Sequence, residues 1–302
     1  MAGRRGLFDL HVMVDWSAAS VPTRGRDSIW SAARSRGGAG DVELVNHPTR
    51  RAALEYLDHL IRVASGRRVL IGLDVSFGLP VGAAEMLVPD DPTWRGVWSL
   101  VTRLVRDDER NRNNRFEVGG ELNRRFGVGE GPFWGCPRGR RVEHLLPTRP
   151  PPGQVPEHRR VEHVLRERGH RPFSIWQLAY AGSVGGQSLT AIPVLDQLVR
   201  RHPARIRVWP FEGAAPAALS AEREDEVVVA EIWPSAFDVD RDRHPVLDAA
   251  QVLEVVETTT AADRLGHLEA WFEIDHLDRA PLVAQEGWIL GIDVDGRPMW
   301  RV

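Results

Sequence analysis

Apolar residues first gather in short strand-like runs. Leu10 to Val14 is apolar at four of five positions, and Asp27 to Ala33 can return as a second strand beyond the turn at Pro22 to Gly25. Val42 to Val45 supplies a third, ended by the polar Asn46-His47-Pro48-Thr49 segment. The period then changes. Between Arg50 and Val63, Ala53, Leu54, Leu57, Leu60 and Ile61 recur at helical spacing and predict an amphipathic helix. A fully apolar strand follows at Val69 to Leu73. Later runs at Ile206 to Trp209 and Val227 to Ile232 read as strands, and Ala249 to Val256 and Ala262 to Phe272 as two helices. Leu282 to Leu290 fits a helix or a strand.

Between these groups the texture differs. From Val81 to Arg201 the chain carries the polar run Asp107 to Asn114, the pair Gly119-Gly120 and a proline-rich stretch from Pro147 to Pro156. Helices are predicted around Trp94 to Arg106 and Glu157 to Arg168. The pattern therefore divides the chain into a first core segment at 8–80, an insertion of helices and loops at 81–201, and a second core segment at 202–302.

Two strands end on an acid. Leu10 to Val14 stops at Asp15 and Val69 to Leu73 at Asp74, each followed by a turn. Open α/β sheets bind ligands at the carboxyl ends of their strands. Glu231, beyond Val227-Val228-Val229 and before Pro234, is a third acid of this kind. Clustered carboxylates repel one another, and a divalent cation removes that penalty while supplying Lewis-acid chemistry. Oxygen ligands without a cysteine cluster favour Mg2+ or Mn2+. Asp248, Asp263, Asp275 and Asp278 are possible fourth ligands, and Asp275 and Asp278 share a face if their stretch is helical.

Two other segments carry chemistry. Tyr180 to Thr190 contains Gly182, Gly185 and Gly186 with Gln187, Ser188 and Thr190, and reads either as a cradle of backbone donors for an anion or as a turn capping a helix. Gly131 to Pro137 sets Phe133 and Trp134 beside Arg138, Arg140 and Arg141, suited to stacking on bases and meeting phosphates or to anchoring a loop. The scattered histidines make no metal-spaced pair. Ser76 lacks the glycine-flanked elbow of a serine hydrolase.

Composition adjusts this reading in a few places. All 39 basic residues are arginine, and the net charge is -3. Arg103 to Arg171 holds 16 arginines against 10 acids, whereas Glu212 to Asp278 holds 17 acids against 4 arginines. A basic middle could meet a phosphate-bearing substrate while an acidic region collects metal. The single cysteine, Cys136, excludes an internal disulfide. With no apolar run long enough for a membrane span and no signal-peptide pattern, no membrane partner and a cytoplasmic location are expected. Oligomeric state is not encoded in any recognisable pattern.

Val14-Asp15-Trp16-Ser17, Ile71 to Pro80 and Glu231-Ile232-Trp233-Pro234-Ser235 together resemble signatures of the DUF429 family of predicted nucleases. Gly182 to Thr190 and Gln285 to Gly291 resemble a bacterial branch sometimes labelled cobalamin-biosynthesis-associated. The resemblance implies an α/β ribonuclease H-like fold, a mixed sheet whose first three strands are antiparallel, with flanking helices and a large mid-chain insertion. It also implies a site in which Asp15, Asp74, Glu231 and a late acid, here Asp278, bind Mg2+ or Mn2+. Ser17, Ser76, Gly185, Gly186, Gln187, Ser188 and Arg138 are the candidate substrate contacts. The expected function is a metal-dependent phosphodiester hydrolase, a nuclease acting on nucleic acid or a small phosphodiester. An ATP-dependent phosphotransferase of the sugar and acetate kinase fold group, and a nonenzymatic metal- or nucleotide-binding protein, are the alternatives.

Overall fold

A computed structural model describes residues 6–37, 42–127, 131–213, 225–274 and 279–300. Six strands form one sheet: β1 (Leu10–Asp15), β2 (Ile29–Ser35), β3 (Glu43–His47), β4 (Val69–Leu73), β5 (Ile206–Val208) and β6 (Val227–Glu231). Their order is β3-β2-β1-β4-β6-β5, with β1, β2 and β3 an antiparallel meander and β1, β4, β6 and β5 parallel. The chain thus has the mixed sheet, strand order and flanking helices of the ribonuclease H-like topology. β2 begins two residues later than the alternation predicts because Asp27 adopts a left-handed φ of 58°, incompatible with extended pairing.

Strand alternation sends successive side chains to opposite faces and builds two cores. Val12, Val14, Ile71, Leu73 and Val229 face one cluster, which includes residues of α1 (Arg50–Val63), α3 (Trp94–Leu104) and α6 (Val184–Arg201). Met13, Leu70, Val228 and Ala230 face the other, packed with α7 (Leu247–Leu265). α1 buries its predicted stripe, and the Thr49 hydroxyl caps it by accepting the Ala52 N–H at 3.1 Å. The 81–201 segment contributes α2 (Ala83–Leu87), α3, α4 (Arg115–Phe126), α5 (Arg160–Glu167) and α6.

Near the C-terminus, α7 runs from the first expected helix into the start of the second, and Leu268–Phe272 follows as a separate 3-10 helix. α7 continues through Thr258, Thr259 and Thr260 because the buried hydroxyls of Thr259 and Thr260 donate to carbonyls one turn back. It ends at Gly266, whose φ of 76° is the left-handed conformation of a helix stop. At the N-terminal edge, Asp263 on α7 accepts the Leu7 and Phe8 N–H groups at 2.5 and 3.0 Å and contacts His11 Nε2 at 3.2 Å. Leu282–Glu286 is helical and leads into a parallel bridge of Ile289 to Glu231, which resolves the ambiguous Leu282 to Leu290 stretch into both.

That late segment braces the loop after β4. Leu79 N–H donates to the Gln285 carbonyl at 3.1 Å. A Cβ on Gly78 would lie 2.1 Å from the Gln285 carbonyl oxygen and 2.5 Å from that of Glu286. Gly78→Ala is expected to destabilise the protein by ~1–3 kcal/mol through backbone displacement, read as a lower urea midpoint with unchanged slope.

Candidate functional site

The parallel pairing of β1 with β4 matches Val14 to Leu73, and Asp74 N–H donates to the Val14 carbonyl at 2.9 Å. Asp15 and Asp74 therefore leave the sheet side by side, on the face covered by α7. Asp248, in the first turn of α7, approaches the same place, its carboxylate accepting the Asp27 N–H at 3.1 Å. These groups lie in a cleft of about 650 Å³ at the carboxyl ends of the strands. Asp27, Ser17, Ser76 and Gln187 also line it, with Phe173, Tyr180 and Trp233 supplying aromatic surface.

Burial dominates the electrostatics. It raises Asp15 well above the ordinary carboxylate range, assisted by repulsion from Asp74, Asp248 and Asp27. Asp74 is pushed up to about 7, first by burial and then by Glu231 and Asp248. Asp248 is raised by burial, against the opposing Asp27 N–H. No cationic side chain lowers Asp15 or Asp74.

Glu231 is placed differently. β6 pairs with β4 so that Glu231 matches Leu73, one rung before Asp74. The one-residue offset changes the direction of the Glu231 side chain, which still lines the cleft. There Arg159, fully buried, grips both Glu231 oxygens at 2.6 and 2.8 Å, and Phe77 N–H donates a third bond at 3.2 Å. Arg159 also binds Glu162 at 2.6 and 2.8 Å. Burial alone would lower the guanidinium, but Glu162 and Glu231 outweigh it and hold it above its usual value. Burial likewise raises Glu231, and Arg159 opposes that shift.

The predicted substrate contacts spread along the cleft and behind it. Ser17 Oγ donates to the Asp27 carbonyl at 2.6 Å, and Gln187 Nε2 donates to the Trp16 carbonyl at 2.7 Å. Ser188 is buried and its Oγ accepts the Ser76 N–H at 3.1 Å. Gly185 and Gly186 sit in the first turn of α6, against the carbonyls of Ile175 and Leu178. Arg138 lies on an exposed turn, its N–H donating to the Tyr180 hydroxyl at 3.3 Å. The sequence reading did not single out Arg159, Asp27, Arg115 or Phe173. Each belongs to a polar or loop stretch with no periodicity, and Arg159 is one of many arginines in the basic middle.

No protein-family model, curated protein or solved structure matches the chain.

The expected metal centre is overturned. Among the described residues, no group of three or more His, Cys, Asp or Glu side chains could hold a metal ion. Glu231 lines the same cleft but both its oxygens are held by Arg159, and Asp263 is engaged with Leu7, Phe8 and His11 at the far end of β1. Asp275 and Asp278 lie outside the described residues. The Mg2+- or Mn2+-dependent nuclease or related hydrolase is thereby withdrawn. The metal-binding form of the nonenzymatic alternative falls with it. No helix among the described residues is long and apolar enough to cross a membrane.

Two outcomes follow from these electrostatics. Arg159→Met strands two buried carboxylates and is expected to cost ~3–5 kcal/mol in urea unfolding, with part regained on adding Glu231→Gln. For Asp74, a folded-state value near 7 against an unfolded value of about 3.9 means the folded state holds the extra proton between them. Stability is therefore fully present below the unfolded value and declines as pH rises from about 4 to about 7. Asp74→Asn is expected to flatten that decline in thermal melts across the range.

Proposed function

We propose that the cleft binds a small organic cation, with the ammonium or guanidinium head on Asp15 and Asp74 and the organic body among Phe173, Tyr180 and Trp233. The observation that carries this reading is the Asp15–Asp74 carboxylate pair opening on the cleft, with no cationic side chain acting on either of them although Arg115 lines the same cleft. A bound cation supplies the missing charge, and its N–H groups make charge-assisted bonds stronger than neutral ones. An acidic lining repels polyanions, so nucleic acid is a poor occupant.

The rim supports the same chemistry. Phe173 and Tyr180, each 54% exposed, both line the cleft and offer it aromatic surface. Cations are attracted to aromatic faces, by ~0.5–1 kcal/mol at exposed sites and more when desolvated. Tyr180 lines the cleft from a left-handed backbone position, φ 72°, uncommon for a residue with a side chain.

Proton linkage gives the test. Cation binding favours ionised carboxylates, so it releases protons near neutral pH and tightens as pH rises through about 7. Calorimetric titration with phenethylamine in buffers of different ionisation enthalpy is expected to show proton release. Asp74→Asn is expected to weaken binding by about tenfold or more, a charged hydrogen bond being worth ~1.5–3 kcal/mol. Saturable binding of phenethylamine or benzylguanidine that is unchanged in Asp15→Asn and Asp74→Asn, or no binding of either probe, would sink the reading.

A further inference from the structure

The acidic cleft has a positive end. Arg115, the first residue of α4, lines it together with Asp15 and Asp74. Its half-buried guanidinium is held in place: Nη1 donates to the Ser20 hydroxyl and to the Asn113 side-chain oxygen, both at 2.9 Å, and its carbon stands over the Phe116 ring, 4.3 Å from the centroid. Nε is buried without a partner beside the first turn of α6, 3.4 Å from where a Gly186 Cβ would stand, so Nη2 is the donor left for the cleft. No carboxylate bonds to this guanidinium among the described residues. Burial, then repulsion from Arg50 and Arg140, pulls it down to about 10, against the weaker pull of Asp107 and Glu117.

The start of α6 has the same sign. Ser183 and Val184, at the N-terminus of this 18-residue helix, also line the cleft, and the Ser183 side chain makes no capping bond. A helix N-terminus carries roughly half a unit of positive charge and favours an anion. The two ends stand apart. An opposite charge within ~4–6 Å lowers a carboxylate, yet Arg115 shifts neither Asp15 nor Asp74, so it lies farther along the cleft. A cleft of about 650 Å³ has room for a ligand that reaches both ends.

We propose, building on the cation reading of the same cleft, that its occupant is an end-to-end zwitterion, with an ammonium or guanidinium on Asp15 and Asp74 and a carboxylate on Arg115 Nη2 beside the α6 N-terminus. Each end of the ligand then supplies the charge that the chain withholds, through a charge-assisted bond. A simple amine satisfies the acids and leaves Arg115 unpaired. An α-amino acid carries its carboxylate next to the ammonium, where it faces the acidic pair instead of Arg115. Arg115 is thus the residue that selects for a distant anionic group.

The full chain is titrated calorimetrically, at constant ionic strength, with phenethylamine and with phenethylamine bearing a para carboxylate or a para carboxamide. The carboxylate probe is expected to bind about tenfold or more tighter than the carboxamide, the difference expected for one charged hydrogen bond. Arg115→Gln is expected to remove that difference, whereas Arg62→Gln, which takes an exposed charge from α1, keeps the wild-type ratio. Phenylalanine is expected to bind more weakly than the para carboxylate. Equal binding of the carboxylate and carboxamide probes, beside Asp74-dependent binding of phenethylamine, overturns the zwitterion and leaves the cation reading standing. Absence of binding by every probe overturns both. An undiminished carboxylate preference in Arg115→Gln, or tighter binding of phenylalanine, overturns the placement of the anionic group on Arg115.

Discussion

The register of three parallel strands decides which acids meet. β1 and β4 run level, so Asp15 and Asp74 emerge together, whereas β6 presents Glu231 one rung earlier. Alternation makes one rung a change of side-chain direction, so Glu231 reaches the cleft from a different angle than the pair and meets Arg159. A buried Glu231 needs a counter-charge, and Arg159 reaches in to supply it. The Arg159 ion network and the uncompensated carboxylates thus border one cleft, and their difference follows from one pairing.

The network also gives the middle of the chain its seat. Arg159 immediately precedes α5, and its guanidinium bridges Glu162 on that helix, Glu231 on β6 and the Glu286 carbonyl. A segment that reads as loops and charge is thereby fixed against the strand ends. Its loops help wall the cleft through residues 172–173 and 180–184, and its Arg115 brings the positive end. Opposite charges meet in one cleft because a basic insertion has docked over an acidic core.

Much of the frame was legible because apolar periodicity is a local property. The meander, α1 and β4 follow from runs such as Leu10 to Val14 and the stripe from Ala53 to Ile61, and Asp15 and Asp74 are visible as the points where runs stop. Pairing register is not local. Val69 to Leu73 and Val227 to Val229 are both apolar and both precede an acid, yet nothing in either reveals that Leu73 will match Glu231. Arg159 was hidden for the same reason, since burial of an arginine is decided by a partner 72 residues away. The helix through Thr258 to Thr260 was missed because β-branched residues argue for a break, while the hydroxyl-to-carbonyl bonds that accommodate two of them appear only once the helix exists.

Asp263 sets the order in which the chain can finish folding. Its carboxylate ties down the Leu7 and Phe8 amides and His11, groups separated from it by 252 to 256 residues. During synthesis, β1 can pair with β2 and β4 long before α7 exists, but its α7-facing side stays uncovered until Leu247–Leu265 has emerged. Closing so long a loop is entropically slow and comes after the local contacts. Met13 and Leu70 belong to a cluster that can close only after α7 has been made, so the α7 side of β1 and β4 depends on residues far along the chain.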